Sequence, residues 1–297
     1  YGVSPYLIKT MRFANHTNPD ANKILIGDAS NKKLASDAGW EWIDVDGYST
    51  QRIKKFNDSF VTVSGSLHKD VKNNRNWTHY VFYRWFVIEE LLNRIGVDEF
   101  WHFDSDTLIL EDLSKYDYLQ SQHLSMMQCN SMCLNGFIKL KVVNSYCDSM
   151  LRQFKDNKLL ERYREEFKIN KNYAFTEMRG FKNFLLEDPH PIVSGMELSS
   201  KFVFDDCLCQ DHGFETITLP EYMQVKQIFF DRGKAFFIKD GKKVLAATLN
   251  LSWLSETVIN TIISALINKN QIMLSNLKLP LALSFLGFLR RIKRLFD

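Results

Sequence analysis

The chain reads as an α/β protein built on a doubly wound, Rossmann-like sheet, and three observations predict this. A short aliphatic strand at 23–27, a helix over about 31–38 and an aromatic strand near 40–45 follow one another as a β-α-β step, the unit of parallel, doubly wound sheets. Residues 77–95 place Phe82, Trp85, Phe86, Ile88, Leu91 and Leu92 at helical spacing before Gly96, which predicts a helix with a broad buried face. Immediately afterwards come two apolar runs of strand length, 100–103 and 107–110, with Asp104-Ser105-Asp106 between them.

Taken in order, residues 1–4 fit a loop following a strand, and Pro5 fits the first turn of a helix that runs to about Thr17 and stops at Asn18-Pro19-Asp20. Asp28 ends the strand 23–27. Open α/β sheets place ligand contacts there, but the position equally suits the N-cap of the next helix. Asp44-Val45-Asp46 leads into a Gly-Tyr-Ser turn and reads as a strand end. Residues 47–76 are polar, with a strand-like 60–63 and a charged 69–75, and are expected to form an irregular surface excursion. Arg84 is the one positive charge in the middle of the helix 77–95. Either it lies on a solvated face or its planar fork lies beside a phosphate or sugar.

Beyond Leu113 the pattern predicts a strand at 124–127, then strand, turn and strand over 129–138, with Asn135-Gly136 at the turn. That dipeptide suits a hairpin; it equally permits close approach of a ligand and offers an amide to sugar hydroxyls. Residues 145–167 read as one long charged helix, and 175–181 as the start of another, with Glu177 in its first turn complementing the helix dipole. Further on come a polar-aromatic module at 202–206, an extended 224–230, and a hairpin of 235–239 and 243–247 around Asp240-Gly241. An apolar helix over 254–267 follows. The tail, 281–296, sets Leu283, Leu286, Leu289 and Ile292 beside Arg290, Arg291, Lys293 and Arg294. This is the composition of an interfacial membrane anchor, or of a helix docked on the domain or on a second copy.

At 297 residues and 45% hydrophobic content, the chain is long enough to bury one large core or two small ones. A net charge of +3 is too mild for a nucleic-acid partner, which is set aside. The five cysteines, Cys129, Cys133, Cys147, Cys207 and Cys209, form no paired C-x-x-C site and have no His at zinc spacing. They read as reduced thiols of a cytoplasmic protein. No run reaches the eighteen or so apolar residues of a membrane span.

Chemistry concentrates at Asp104 and Asp106. Two carboxylates at a bend between strands turn toward one cleft, and paired hard oxygen ligands suit a divalent cation that also holds a diphosphate. The same spacing also describes a solvated turn.

In their order, Tyr83-Arg84-Trp85-Phe86, Asp104-Ser105-Asp106, Leu134-Asn135-Gly136 and Thr176-Glu177-Met178 resemble a GT-A-fold glycosyltransferase, nearest to family 8 and related retaining transferases. The likeness covers about 1–255, with a nucleotide-binding half (1–113) and a donor-sugar and acceptor half (114–255); a helical, basic amphipathic tail (256–297) follows it. It implies a mixed GT-A sheet and a nucleotide-diphosphate sugar as donor, most often a UDP-sugar. Mn2+ or Mg2+ would bridge the carboxylates and the diphosphate, Asp106 binding the metal and Asp104 the metal or the ribose. Tyr1, Gly2 and Asp28 would border the nucleotide; Arg84, Asn135 and Gly136 would border the donor sugar. Glu177 would face the reacting sugar, where relatives carry an Asp. Relatives also have a late His that completes the metal site, followed by Gly and Lys. Here Asn250 stands in the His place and the Lys is missing.

The expected function is transfer of a sugar to a saccharide or lipid-linked acceptor, retaining its configuration, by a peripheral protein at a membrane face. The competing readings are a catalytically weak sugar-nucleotide-binding protein of the same fold and a sugar-phosphate nucleotidylyltransferase, for which no Gly-rich phosphate loop is visible.

Overall fold

The computed structural model describes residues 4, 6–74, 76–123, 125–128, 133–187, 192–219, 223–268 and 272–274. Tyr1, Gly2, Pro5 and the basic stretch 281–297 lie outside the described residues. The fold is mixed α/β with several sheets. Helix α1 (Leu7–Thr17) leads to β1 (Ile24–Gly27), and α2 (Lys32–Ala38) connects β1 to its parallel partner β2 (Glu41–Asp44). This is the expected β-α-β step, with Gly39 closing α2 at φ +72°.

The expected surface excursion is more ordered than its composition implies, because α3 (Gln51–Ser59) and α4 (Lys69–Asn73) lie within it. Thr50 Oγ1 accepts the Ile53 N–H at 3.3 Å and starts α3, which buries only Ile53 and Phe56. Two apolar residues one turn apart suffice to dock the helix, Phe56 stacking on Phe86 at 4.6 Å, but they leave almost no periodic signal. Residues 60–63 are not a strand; Val63 meets the chain near Phe175 through one backbone bond, and Ser64 through an isolated bridge to Ala174.

Helix α5 (Trp77–Ile95) matches its expected span and ends at Gly96, φ +67°. It feeds β3 (Glu99–His102) and then β4 (Thr107–Ile109). After α6 (Tyr118–Gln122) come β5 (Ser125–Gln128) and β6 (Cys133–Lys139). Asn135 and Gly136 therefore lie within a strand, not at a turn. Gly136 has φ +110°, and a Cβ there would stand 2.8 Å from the Met126 Sδ and Cε, so tight packing of β5 on β6 is what requires glycine.

The single helix expected over 145–167 is two, α7 (Leu140–Gln153) and α8 (Asn157–Ile169). Asp156 separates them, its Oδ1 accepting the N–H groups of Lys158 and Leu159, the N-cap arrangement. Helix α9 (Glu177–Glu187) and β7 (Ile192–Ser194) follow. Strands β3, β6, β5 and β7 form one sheet in that order, parallel only between β5 and β7.

The last third supplies β8 (Phe202–Phe204), β9 (Thr216–Thr218), β10 (Gln224–Lys226), β11 (Ile228–Asp231), β12 (Lys234–Lys239), β13 (Lys242–Asn250), α10 (Glu256–Asn268) and β14 (Ile272–Met273). Asp240 and Gly241, at φ +49° and +68°, turn β12 into β13 as their sequence predicts. Strand β13 pairs with β12, β8 and β4. Among the described residues β1 pairs only with β2, and β3 only with β6. Among the described residues the expected single sheet is thus divided, with β5–β6, β9–β10, β11–β12 and β12–β13 pairing as antiparallel neighbours.

Two main cores result. One lies among α3, α5, α7, α8 and α9; the other gathers β11, β12, β13 and α10 around residues such as Phe230, Phe237 and Ile262. Helix α10 packs into the second core through Val258, Ile259, Ile262 and Leu266. Phe100 on β3 packs against the first core and Leu108 on β4 belongs to the second, so Asp104 and Asp106 sit where the chain passes between them. No described helix is long and apolar enough to cross a membrane.

Candidate functional site

The bend carrying the two carboxylates is locked by backbone bonds from three directions. Asp104 O accepts the Thr107 N–H at 3.0 Å, Ser105 O accepts the Thr10 hydroxyl of α1 at 3.1 Å, and Asp106 O accepts the Leu251 N–H at 2.8 Å. With its carbonyls engaged, the bend commits its side chains to fixed directions. Helix α1 is stitched along the following residues as well, Thr17 donating to Ile109 O and Asn18 to Glu111 O.

On one side of the bend stands Arg84. Its Nη1 donates to Asp104 Oδ1 at 2.6 Å, and its Nη2 lies 3.5 Å from Glu177 Oε1. The solvated-face alternative for Arg84 is therefore excluded, its side chain being only 17% exposed. Burial works against the guanidinium charge, but Asp104 and Glu177 outweigh it and hold its pKa above the ordinary value. Glu177 opens α9, as its sequence position suggests, and is itself buried. Burial pushes its carboxyl up, opposed by Arg84 and by the amides of the first helical turn. Tyr146 fixes that turn, its hydroxyl donating to Glu177 O at 2.8 Å.

On the other side stands the end of β13. Ser252 Oγ donates to Asp106 Oδ2 at 2.7 Å. Burial and the charge of Asp104 push the Asp106 carboxyl above its usual range. For Asp104 burial acts in the same sense, but Arg84 and His102 outweigh it and hold the carboxyl below that range. His102, half-buried beside Trp85, is pushed down to about 4 by desolvation and by Arg84, against Asp104. It is a neutral imidazole at physiological pH.

Asp104 and Glu177 thus share one guanidinium, while Asp106 is held by Ser252. Asp106 Oδ1, Arg84 Nε and His102 Nδ1 are buried and make no hydrogen bond among the described residues. Buried polar atoms are ordinarily satisfied, and a group of orphans around one bend marks a place for a polar ligand. The orphaned Asp106 oxygen is a hard donor suited to Mn2+ or Mg2+.

Asn250, the expected third metal ligand, is brought beside the bend by its register with Thr107. Its Oδ1, however, accepts the Ser252 N–H at 2.9 Å. Its own N–H goes to Asp205 Oδ2 at 2.9 Å, and Asp205 is held by the buried Lys226 Nζ at 2.7 Å. Among the described residues no three His, Cys, Asp or Glu side chains are grouped to hold a metal by themselves. A cation there would take its remaining ligands from a bound molecule or solvent.

Asn135 is fully buried in β6, and Gly136 lies opposite His102 across the β3–β6 pair. Asp28 caps the turn that follows β1, its Oδ1 accepting the Ser30 N–H at 2.9 Å; Asp44 does the same for Asp46. Burial, with Asp28, Asp104 and Asp46 against Arg84, pushes the Tyr80 phenol up. Tyr1 and Gly2 lie outside the described residues. Thr10, Tyr146 and Ser252 are not singled out by any sequence pattern, because their separation from the residues they serve leaves no local signal.

No family model matches the chain, and no curated protein and no solved structure matches it.

Proposed function

We propose that the chain is a metal-dependent glycosyltransferase of GT-A type, moving a sugar from a nucleotide-diphosphate donor, a UDP-sugar first among them, to a saccharide or lipid-linked acceptor. The observation that carries this reading is Asp106 Oδ1, a buried carboxylate oxygen with no hydrogen bond among the described residues, beside Asp104 in a bend held by α1, by Leu251 and by its own turn. Asp104 and Asp106 would hold Mn2+ or Mg2+ together with the diphosphate. Bound there, the ion would act as a Lewis acid, stabilising the charge that grows on the departing diphosphate.

The chain's own residues have distinct tasks. Ser252 orients Asp106 so that Oδ1 points away from its hydrogen bond. Arg84, fixed between Asp104 and Glu177, offers its unbonded Nε–H to an oxygen of the donor. Glu177 stands where a carboxylate faces the reacting sugar, and burial favours its protonated form. Asp28 borders the nucleotide, whereas Asn135, fully buried within β6, has no surface to offer the donor sugar. No residue is assigned as general base, since in a retaining transfer the departing phosphate itself accepts the acceptor's proton. The basic stretch 281–297 serves as an interfacial anchor at the cytoplasmic membrane face.

A second reading, a sugar-nucleotide-binding protein with weak turnover, is favoured by Asn250, whose Oδ1 is already engaged by Ser252. Mn2+-dependent hydrolysis of a panel of UDP- and GDP-sugars, comparing the intact chain with Asp104→Ala/Asp106→Ala, separates the two. The transferase reading expects cleavage of one donor, lost in the variant; metal-dependent binding without cleavage, even with acceptors supplied, supports the second. Absence of both rejects the site.

A further inference from the structure

The chain has six tryptophans, and all of them lie among the described residues. Trp85 is buried, and Trp40, Trp42, Trp77 and Trp101 are half-buried; Trp253 alone is exposed, at 72%. It is also the residue next to Ser252, whose hydroxyl holds Asp106. Its backbone adds a second observation. Leu254 N–H bonds to Leu251 O at 3.2 Å, closing a turn over 251–254, and Trp253 occupies the third position with φ +72°. A turn with a left-handed third residue ordinarily takes Gly or Asn there, since a large side chain is strained in that conformation. Trp253 thus holds a strained backbone conformation while the residue itself is largely exposed. The turn is rigid, because Leu251 N–H and Ser252 Oγ both bond to Asp106, and Ser252 N–H to Asn250. Strained positions held by their surroundings concentrate at ligand sites.

We propose that Trp253 is the stacking platform for the acceptor, receiving the apolar C–H face of a sugar ring on its indole. An indole gives a large, rigid contact area at little entropic cost, with an electron-rich face that attracts weakly positive C–H groups. The proposal rests on the glycosyltransferase reading for its choice of acceptor over donor. Arg84 bonds to Asp104 and lies beside Glu177, whereas Asp106 is held by Ser252, the residue before Trp253. With the donor sugar beside Arg84, the side of the bend occupied by Trp253 is left for the second substrate, and the exposure of its ring suits a large, solvated acceptor.

The test uses the full chain, with Trp253→Gly, Trp253→Phe and saturation-transfer NMR against a panel of methyl disaccharides of gluco, galacto and manno configuration. At least one disaccharide is expected to bind. Its affinity should fall about tenfold or more in Trp253→Gly and be largely retained in Trp253→Phe, while Trp253→Gly melts no lower than the parent because glycine relieves the turn. A melting point several degrees lower would make the ring a structural element and overturn the proposal. So would disaccharide binding unchanged in Trp253→Gly, or no disaccharide bound by the parent. If Trp253→Gly instead loses affinity for UDP with Mn2+, the indole stacks on the nucleotide and the acceptor assignment fails. Failure of the transferase reading registers separately, as absence of Mn2+-dependent UDP-sugar binding and cleavage by the parent chain.

Discussion

Arg84 faces Asp104 at 2.6 Å and Glu177 at 3.5 Å inside the protein, and removing one member of a buried ion pair leaves charge that nothing satisfies. Arg84→Leu should cost roughly 3–5 kcal/mol in urea unfolding, and a loss below about 1 kcal/mol would show that solvent reaches both carboxylates. A second residue with a measurable signature is Glu89 on α5. Burial pushes its carboxyl up from 4.5 to about 7, against the opposing Arg52. Between those values the native state binds a proton that the unfolded chain releases. The contribution to stability is therefore complete below pH 4.5 and is lost as pH rises through about 7, by up to ~3 kcal/mol. Melting curves across that window should slope downward with pH, and Glu89→Gln should flatten them. An unchanged slope in the variant would place the titration elsewhere. Asp104, Asp106, Arg84 and Glu177 are legible in the sequence as charges standing next to apolar runs. Whether Arg84 is solvated or buried is not, because that depends on which way α5 faces.

Among the elements, β6 and β13 govern the site. Strand β6 needs Gly136 because β5 lies so close that Met126 fills the space of a Cβ, at a backbone φ of +110°. Gly136→Ala should therefore destabilise by about 2 kcal/mol or more, the range of overpacking combined with a left-handed backbone. Thermal unfolding checks this, and a neutral effect would mean that Met126 yields freely. The dipeptide Asn135-Gly136 is visible in the sequence as a place of special backbone, but a local pattern does not distinguish a turn from a crowded strand. Strand β13 illustrates the converse. Its hairpin is legible from Asp240-Gly241, while its delivery of Asn250, Leu251 and Ser252 to Asp106 depends on antiparallel pairing with β4. That register sets Thr248 against Ile109, Leu249 against Leu108 and Asn250 against Thr107. Ser252 and Asp106 stand 146 residues apart in the chain, and no spacing within either segment announces the contact.

In the molecule as a whole, the bend lies between two cores and is fixed by α1, by β13 and by its own turn. Cation binding should therefore depend on the intact fold. Because burial and Asp104 push the Asp106 carboxyl up, a bound cation competes with a proton, and Mn2+ affinity measured by calorimetry should weaken as pH falls through the Asp106 titration. An affinity independent of pH would remove Asp106 from the ligand set. The anchor proposed for the basic stretch 281–297 is tested on the same scale. Its deletion should release the protein from anionic liposomes in a salt-dependent sedimentation assay, and undiminished sedimentation would reject the anchor.

Local sequence alone carries the α/β class, the first β-α-β step, the span of α5, the hairpin at Asp240-Gly241 and the position of the two carboxylates between strands. Each of these is written in local periodicity or in the backbone preferences of a few adjacent residues. The packed chain, and nothing short of it, buries Arg84 between Asp104 and Glu177, engages Asn250 with Ser252, and divides the expected single sheet. Those outcomes depend on contacts between segments distant in the chain, whose free energies come from burial and register, and neither is encoded within any one window of sequence.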